Sequence, residues 1–318
     1  MNIAPIRFVR SVLIHMRPYL LFVSGISGLA GMSLFEGTLG LQKFSLLFIC
    51  FFLGYGFGQA LTDCFQTDTD KISSPYRPLS QGLISKQALF GVSLAGLLLI
   101  GATLIYSNSS NIVLAIATVI GLISYTHFKK NYWMGGPIWN SLIVSLLPIL
   151  GLLSADPSLG LNVIWSVPML SFVIAFNFFA YFNFVLIGYL KDITADRETN
   201  YNTFPVRFGW SPTVMLGNVI LGLGILFLWF SVPVFTTPVG IFMALAFIVG
   251  VYGQIKAIYP KEKSEEYSHI PIESTVRFFL LGNAAIVLSN KPELLLFVSI
   301  FYAGFELILF LRPERNQI

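Results

Sequence analysis

The sequence predicts an all-α, polytopic membrane protein, and three observations carry that prediction. Of its 318 residues, 55% are hydrophobic and 11% are charged. Apolar runs of about 20 residues, the length a membrane-spanning helix needs, recur along the whole chain. No Gly/Ser linker, internal repeat or low-complexity tract separates them, so residues 1–318 read as a single transmembrane domain.

Taken in order, the N-terminus carries Arg7, Arg10 and Arg17 before the apolar run Pro18–Leu34. That run is long and no clear cleavage site follows it, so it reads as a retained first span rather than a signal peptide. Further spans are expected at 43–62, 87–106, 111–128, 136–153, 163–190, 213–232, 238–258, 272–289 and 293–311. The run at 163–190 is long enough to project beyond the bilayer. With ten spans and a cytoplasmic N-terminus, all of the 19 Lys and Arg residues except Lys43 and Lys291 lie on the cytoplasmic side. This is the positive-inside bias. Nine spans would move Arg312 and Arg315 across, so ten are favoured.

The charges sit at helix ends and form no dense basic block, which argues for membrane orientation and against nucleic-acid binding. Cys50 and Cys64 make no CxxC, and His15, His127 and His269 are scattered, so no disulfide framework or zinc site is indicated. Asn108-Ser109-Ser110 matches a glycosylation pattern too common to carry weight. There is no GxxxxGK[ST] loop, no HExxH and no GxSxG elbow.

The acids are concentrated. The chain has 15 of them. Asp63, Asp68 and Asp70 fall in DCFQTDTDKISSPYR (63–77), and Asp192, Asp196 and Glu198 in KDITADRETNYNTFP (191–205). Each stretch lies where an apolar run gives way to a polar loop, and the ten-span topology puts both on the cytoplasmic face with Arg77, Lys129, Lys130 and Lys191. Carboxylates gathered at the mouth of a bundle are unfavourable without a cation. A continuing helix places Asp192 and Asp196 on one face, and likewise Asp63, Gln66 and Asp70, with Asp68 pointing elsewhere. Two oxygen-rich faces beside basic residues suit Mg²⁺ and a substrate phosphate.

These stretches also carry a resemblance. DCFQTDTDKISSPYRPLSQGLIS resembles the first aspartate-rich motif of the UbiA superfamily of intramembrane prenyltransferases, N-D-x-x-D-x-x-x-D with an R-P-[LI]-x-x-G tail. KDITADRETNYNTFPVRFG is similar to the second, D-x-x-x-D with a T-[LF]-P-V-x-x-G tail. Arg17-Pro18 resembles the start of the family's first helix. Aligned on the tails, Asp63 and Asp70 match two acids of the first motif, and Asp192 and Asp196 match the second pair. Thr62 stands where Asn is usual and Gln66 where the middle Asp is usual. Gly188 and Tyr189 stand where some members carry further polar groups. The resemblance covers residues 16 to 290 and implies a UbiA-like bundle of nine core helices, to which 293–311 adds one.

The resemblance implies Mg²⁺-dependent transfer of an isoprenyl group from an isoprenyl diphosphate to an aromatic or other small-molecule acceptor within the lipid bilayer. On that basis Asp63, Asp70, Asp192 and Asp196 hold about two Mg²⁺ between protein and diphosphate, assisted by Gln66 and Asp68. Arg77, in the motif tail, contacts the diphosphate through its guanidinium fork. Lys129 and Lys130 follow Ser124-Tyr125-Thr126, similar to the family's tyrosine-then-basic stretch; one of them neutralises the leaving group, and the sequence does not choose which. Lys191 adjoins Asp192 and is a further substrate-binding candidate, as are Tyr125 and Tyr189. Tyr125, Tyr181 and Tyr189 lie near the motifs and are expected to shield an allylic cation with their π-faces.

Ordinary structural roles stand beside each of these. Basic residues anchor helix ends, aromatic residues pack, and Asn177, Asn183, Asn218 and Asn283 hydrogen-bond between helices. Glu198 reads as a solvated loop charge, Arg207 is a weak candidate, and Glu306 has no assigned role. Two other functions stay open: a UbiA-type terpene cyclase, prompted by Thr62 and Gln66, and a cation-coupled transporter. Acids gathered at one surface rather than at the midplane argue against the transporter.

Overall fold

A computed structural model describes residues 5–312; Arg315, invoked above for topology, lies outside them. Residues Pro5–Met16 form α1 and Leu21–Ser33 form α2, joined by a 3₁₀ turn at Pro18–Leu20. The two arms are bent by 46°. Arg17 is the hinge. A residue preceding proline is disfavoured in helical geometry, and Arg17 takes φ 49°, ψ 76°, a left-handed conformation that costs about 1–2 kcal/mol for a residue with a Cβ. Residues 18–33 alone rise about 24 Å, short of the ~30 Å hydrocarbon core. Taken together, α1 and this segment are long and apolar enough for one span, broken at Arg17.

The chain continues through α3 (Leu41–Asp63), the short α4 (Thr67–Ser73), α5 (Lys86–Ser107), α6 (Asn111–Asn131) and α7 (Gly135–Ala155). The single turn α8 (Val163–Ser166) precedes α9 (Pro168–Gly188), and the short α10 (Ile193–Glu198) and α11 (Phe204–Phe208) precede α12 (Trp210–Phe230). Then come α13 (Thr237–Ile258), α14 (His269–Asn290) and α15 (Leu295–Phe310). Among the described residues nine helices are long and apolar enough to cross a bilayer, or ten if the bent α1–α2 pair counts as one span.

Two expectations fail locally. The run at 163–190 is not one projecting helix: Pro168 starts α9 and separates it from α8, because proline is tolerated at the first helical position and not inside. The helix through the first acidic stretch does not continue either. It stops at Asp63, Gln66 turns the chain with φ −119°, ψ 24°, and a new helix begins at Thr67. The Thr-Asp-Thr-Asp run favours helix starts over interiors, since these short polar side chains compete for backbone groups.

In the bundle, α2 packs against α3 and α7, α9 against α7 and α12, and α14 against α13, α9 and α2. Small residues allow the α2–α7 approach: a Cβ on Gly31 would lie 2.0 Å from the Pro148 carbonyl oxygen, and one on Gly151 2.2 Å from that of Gly28. The expected bonds of Asn177, Asn183 and Asn283 form at the centre. Ser27 Oγ donates to Asn177 Oδ1 at 2.8 Å, Asn177 and Asn283 exchange amide bonds, and Gln254 donates to Asn183. Asn108 of the glycosylation pattern is buried, its amide donating to the carbonyls of Leu153, Asp156 and Leu159. Glu306 gains a role as well. Arg277 of α14 grips it through Nε at 2.7 Å and Nη2 at 2.8 Å, and Tyr302 donates to it at 2.7 Å, fastening α15 to the core. By contrast α5 meets α6 over few residues, which leaves a seam along the cavity described next.

Candidate active site

The short helices α4 and α10 pack against each other and bring the two acidic stretches to one end of the bundle. Tyr201 Oη donates to Asp68 Oδ1 at 3.1 Å. The Asn202 N–H donates to the Lys130 carbonyl at 2.8 Å, and Thr203 Oγ1 donates to Asp196 Oδ2 at 3.2 Å. Lys129 spans both stretches: its Nζ donates to Gln66 Oε1 at 3.4 Å and lies 3.2 Å from Asp196 Oδ1. The same ammonium sits 5.0 Å from the ring centres of Tyr189 and of Tyr201, a cation–π arrangement.

A cavity of about 570 Å³ runs from this mouth into the bundle. Its polar end carries Gln66, Asp70, Arg77, Lys129, Lys191 and Asp192, together with Arg17. Far from the mouth it is lined by Cys50, Phe51, Leu104 and Leu150. Along α3, Thr62 and Cys50 are separated by about 18 Å of helix rise, so the cavity is an apolar tunnel under a charged mouth. Tyr55, Tyr125, Tyr181 and Tyr189 line the passage between the two ends and are paired, Tyr125 Oη to Tyr189 Oη and Tyr55 Oη to Tyr181 Oη, each at 3.0 Å. The Tyr189 side chain fits because position 136 is glycine: a Cβ there would lie 1.8 Å from its Oη.

The predicted acids occupy unequal positions. Asp70 and Asp192 reach the cavity, Asp70 in close contact with Arg77 Nη1. Asp63 is buried beneath the mouth with both oxygens engaged. His15 Nδ1 is 2.9 Å from Oδ2, while Arg17 Nη2 at 3.0 Å, Gln59 Nε2 at 2.9 Å and Arg77 Nη1 at 3.6 Å surround Oδ1. Asp196 is buried one turn beyond Asp192, its backbone N–H donating to the Asp192 carbonyl at 2.8 Å. Asp68 faces outward and pairs with Lys130 at 3.3 Å. Of the two lysines, Lys129 lines the cavity and is buried, while Lys130 is 41% exposed in that outer pair. Glu198 is exposed, as expected of a solvated charge, but it ends α10 and does not lie in a loop.

Burial pushes the Asp196 carboxyl up to about 6, against the opposing pull of Lys129. Burial acts the same way on Asp68, but hydrogen bonds from the Thr69 N–H, Lys130 and Tyr201 outweigh it and hold that carboxyl below its ordinary value. Burial would lower Arg77, yet Asp70 and Asp63 hold it firmly charged, above the ordinary guanidinium value.

Residues 24–306 match the UbiA prenyltransferase family. The chain belongs to that family. This UbiA-family chain is 26% identical over 229 residues to the digeranylgeranylglyceryl phosphate synthase of Methanosphaera stadtmanae, covering 70% of this chain and 78% of the relative. The synthase of the same name from Saccharolobus solfataricus is 27% identical over 234 residues, covering 71% and 79%. Among solved structures, the UbiA homolog of Aeropyrum pernix in its apo form superposes with a TM-score of 0.68 at 16% identity, covering 84% of this chain and 96% of that one. The Archaeoglobus fulgidus homolog bound to GPP and Mg²⁺ gives a TM-score of 0.63 at 17% identity, covering 87% and 99%. The chain is thus a UbiA-type, multi-pass membrane prenyltransferase.

The oxygens at the UbiA mouth suit a hard divalent cation. Among the described residues no three His, Cys, Asp or Glu side chains converge as a ready metal cage, but Mg²⁺ characteristically takes one or two carboxylates and fills its shell with water and substrate phosphate. Asp70, Asp192 and Gln66 line the same space. Behind them Asp196 Oδ1 is buried and accepts no well-directed hydrogen bond among the described residues. Sequence reading missed four residues here: His15, Arg17, Tyr55 and Tyr201. Arg17 was signalled by its place before Pro18 and Tyr201 by lying inside the second stretch. Nothing local marked His15 or Tyr55.

Proposed function

We propose that this protein transfers an isoprenyl group from an isoprenyl diphosphate, with Mg²⁺ as cofactor, to a glyceryl phosphate acceptor in the membrane. The observation that carries the reading is the single cavity with acids and cations at its mouth and an apolar, tyrosine-lined tunnel beneath. The two ends match the two halves of the donor. Asp70, Asp192 and Gln66 would hold the Mg²⁺, with Asp196 behind them. When bound, the ion would neutralise charge on the departing diphosphate.

The chain's own groups complete the chemistry. Arg77 and Lys129 bind the diphosphate as its bond to the allylic carbon breaks, which stabilises the charge that develops on the leaving oxygen. Tyr55, Tyr125, Tyr181 and Tyr189 present aromatic faces to the resulting cation and exclude water that would quench it. The acceptor then bonds to the allylic carbon and releases a proton. The resemblance implies an aromatic or other small-molecule acceptor; within that range the names of the relatives favour a prenylated glyceryl phosphate. Arg17 and Lys191 at the mouth add cationic capacity for such a headgroup. The lysine and arginine bias supports a mouth on the cytoplasmic side.

Purified protein with Mg²⁺ and geranyl, farnesyl or geranylgeranyl diphosphate, offered geranylgeranylglyceryl phosphate and a panel of aromatic acceptors, tests this by mass spectrometry. A prenylated glyceryl phosphate is expected. A cyclised isoprenoid formed without acceptor, or no consumption of any donor, would overturn it.

A further inference from the structure

One wall of the cavity comes from a single face of α7. Asn140, Ile143, Val144, Leu147 and Leu150 line it, at the three- and four-residue spacing of one helix face. Asn140 is the polar member of this face. It lies one turn inward from Gly136, whose missing Cβ makes room for the Tyr189 hydroxyl, and so about 6 Å further from the mouth along α7. Its neighbour sets the register: Trp139 Nε1 donates to Ser124 Oγ at 3.0 Å and to the Gly121 carbonyl at 3.1 Å. That holds this turn of α7 against the turn of α6 that carries Tyr125.

The other hydroxyl and amide side chains along the cavity below the mouth have partners within the protein. Ser24 donates to the Phe51 carbonyl at 2.5 Å, Thr118 to the Leu114 carbonyl at 2.8 Å and Gln59 to Asp63 at 2.9 Å, and the four tyrosines are paired. The Asn140 amide hydrogen-bonds to no described residue. An unpaired amide on an apolar wall inside a membrane bundle is unfavourable, and it marks the place of a polar group on a bound molecule. The donor has no such group at this depth, because beyond its diphosphate it is hydrocarbon. A glyceryl phosphate does: its hydroxyl stands a few bonds from the phosphate and reaches below the mouth while the phosphate stays among the cations.

We propose that Asn140 is an acceptor-binding residue, whose Oδ1 accepts from the free hydroxyl of a glyceryl phosphate and holds the hydroxyl oxygen toward the allylic carbon. The proposal rests on the glyceryl phosphate reading of the site and deepens it to one side chain. In the step it serves, the diphosphate leaves with the electron pair of its bond to carbon, the alcohol oxygen bonds to that carbon, and the alcohol proton passes to the diphosphate. The amide takes no proton; it binds and aims.

The test uses the full chain in detergent with Mg²⁺, geranylgeranyl diphosphate and geranylgeranylglyceryl phosphate. Asn140→Leu keeps the bulk and removes the amide. It should raise KM for the glyceryl phosphate about tenfold or more, while KM for the donor stays within about twofold. A deoxy analogue lacking the hydroxyl serves as an unreactive competitor, and its inhibition constant should agree within about twofold between the variant and the unaltered protein. The variant should melt at the same temperature or higher, since it loses an unpaired amide. Acceptor KM unchanged, the deoxy analogue weakened as much as the acceptor, or a lowered Tm would each overturn the proposal, the last two by showing that the amide serves the fold. Donor turned over by the unaltered protein with no prenylated glyceryl phosphate formed would overturn the functional reading and the proposal with it.

Discussion

Lys129 Nζ lies 3.2 Å from the Asp196 carboxylate, and this pair joins the end of α6 to the second acidic motif. The same ammonium reaches Gln66 of the first motif. It therefore bridges the two motifs at the cavity mouth. Lys130, next in sequence, turns outward to Asp68.

That difference gives the first prediction. Lys129→Gln removes a buried cation from the mouth and is expected to lower kcat on the order of 10²-fold, the scale of one preorganised electrostatic contact. Lys130→Gln breaks an exposed pair worth at most about 1 kcal/mol and should keep kcat within about threefold. Steady-state turnover of the two variants decides, and equal losses would contradict the assignment.

The acids should separate in the same manner. Asp70→Asn and Asp192→Asn remove the carboxylates that reach the cavity, so each should raise the Mg²⁺ concentration for half-maximal turnover about tenfold or more. Asp68→Asn should leave it within about twofold, since Asp68 is held outside by Lys130 and Tyr201. Excess EDTA should abolish turnover of the unaltered enzyme and added Mg²⁺ restore it. A Mg²⁺ titration of each variant is the measurement.

The tunnel floor makes a specificity prediction. Leu104 is buried at the deep end with Cys50 and Leu150. Leu104→Trp fills that end, and kcat/KM for geranylgeranyl diphosphate should drop about tenfold while geranyl diphosphate changes little. Donor competition with both diphosphates in one reaction reads the ratio directly. An unchanged ratio would mean that the chain does not lie in this tunnel.

Water exclusion can be tested at Gly136. A Cβ there would overlap the Tyr189 hydroxyl and push that ring away from Tyr125. Gly136→Ala should therefore raise the share of free prenyl alcohol relative to coupled product, because water gains access to the cation. Tyr189→Phe keeps the ring and loses only the hydroxyl pairing, so its alcohol share should be smaller. Product ratios by mass spectrometry distinguish the two.

The Arg277–Glu306 grip concerns stability and not chemistry. Arg277→Met leaves Glu306 with only the Tyr302 hydroxyl, and Glu306→Met leaves Arg277 with only Glu273, so each should destabilise the α15 attachment by on the order of 2 kcal/mol. That is below the roughly 3–5 kcal/mol of fully buried pairs, because the two side chains are 25% and 34% exposed. The double Met variant should recover most of the loss in detergent Tm. Turnover per folded molecule should stay unchanged throughout.

The sequence by itself determined the fold class, the places of the apolar spans and the two acidic stretches. A span is a local property: about 20 apolar residues in a row must cross a bilayer whatever their neighbours do. The motif tails were equally local, and they led to the family before any coordinates. Only the tertiary structure decided which charged side chains face the cavity. Asp63 and Asp70 were expected to share a helix face, but the break at Gln66 sends Asp70 to the cavity and leaves Asp63 beneath it, held by His15, Arg17 and Arg77. Lys129 and Lys130 are adjacent in sequence and opposite in role because a helix turns about 100° per residue. His15 is 48 residues from its carboxylate partner, and Tyr55 meets Tyr181 across 126. Such pairs depend on how α1, α3 and α9 stack, and packing of that kind leaves no periodic or compositional trace in either segment.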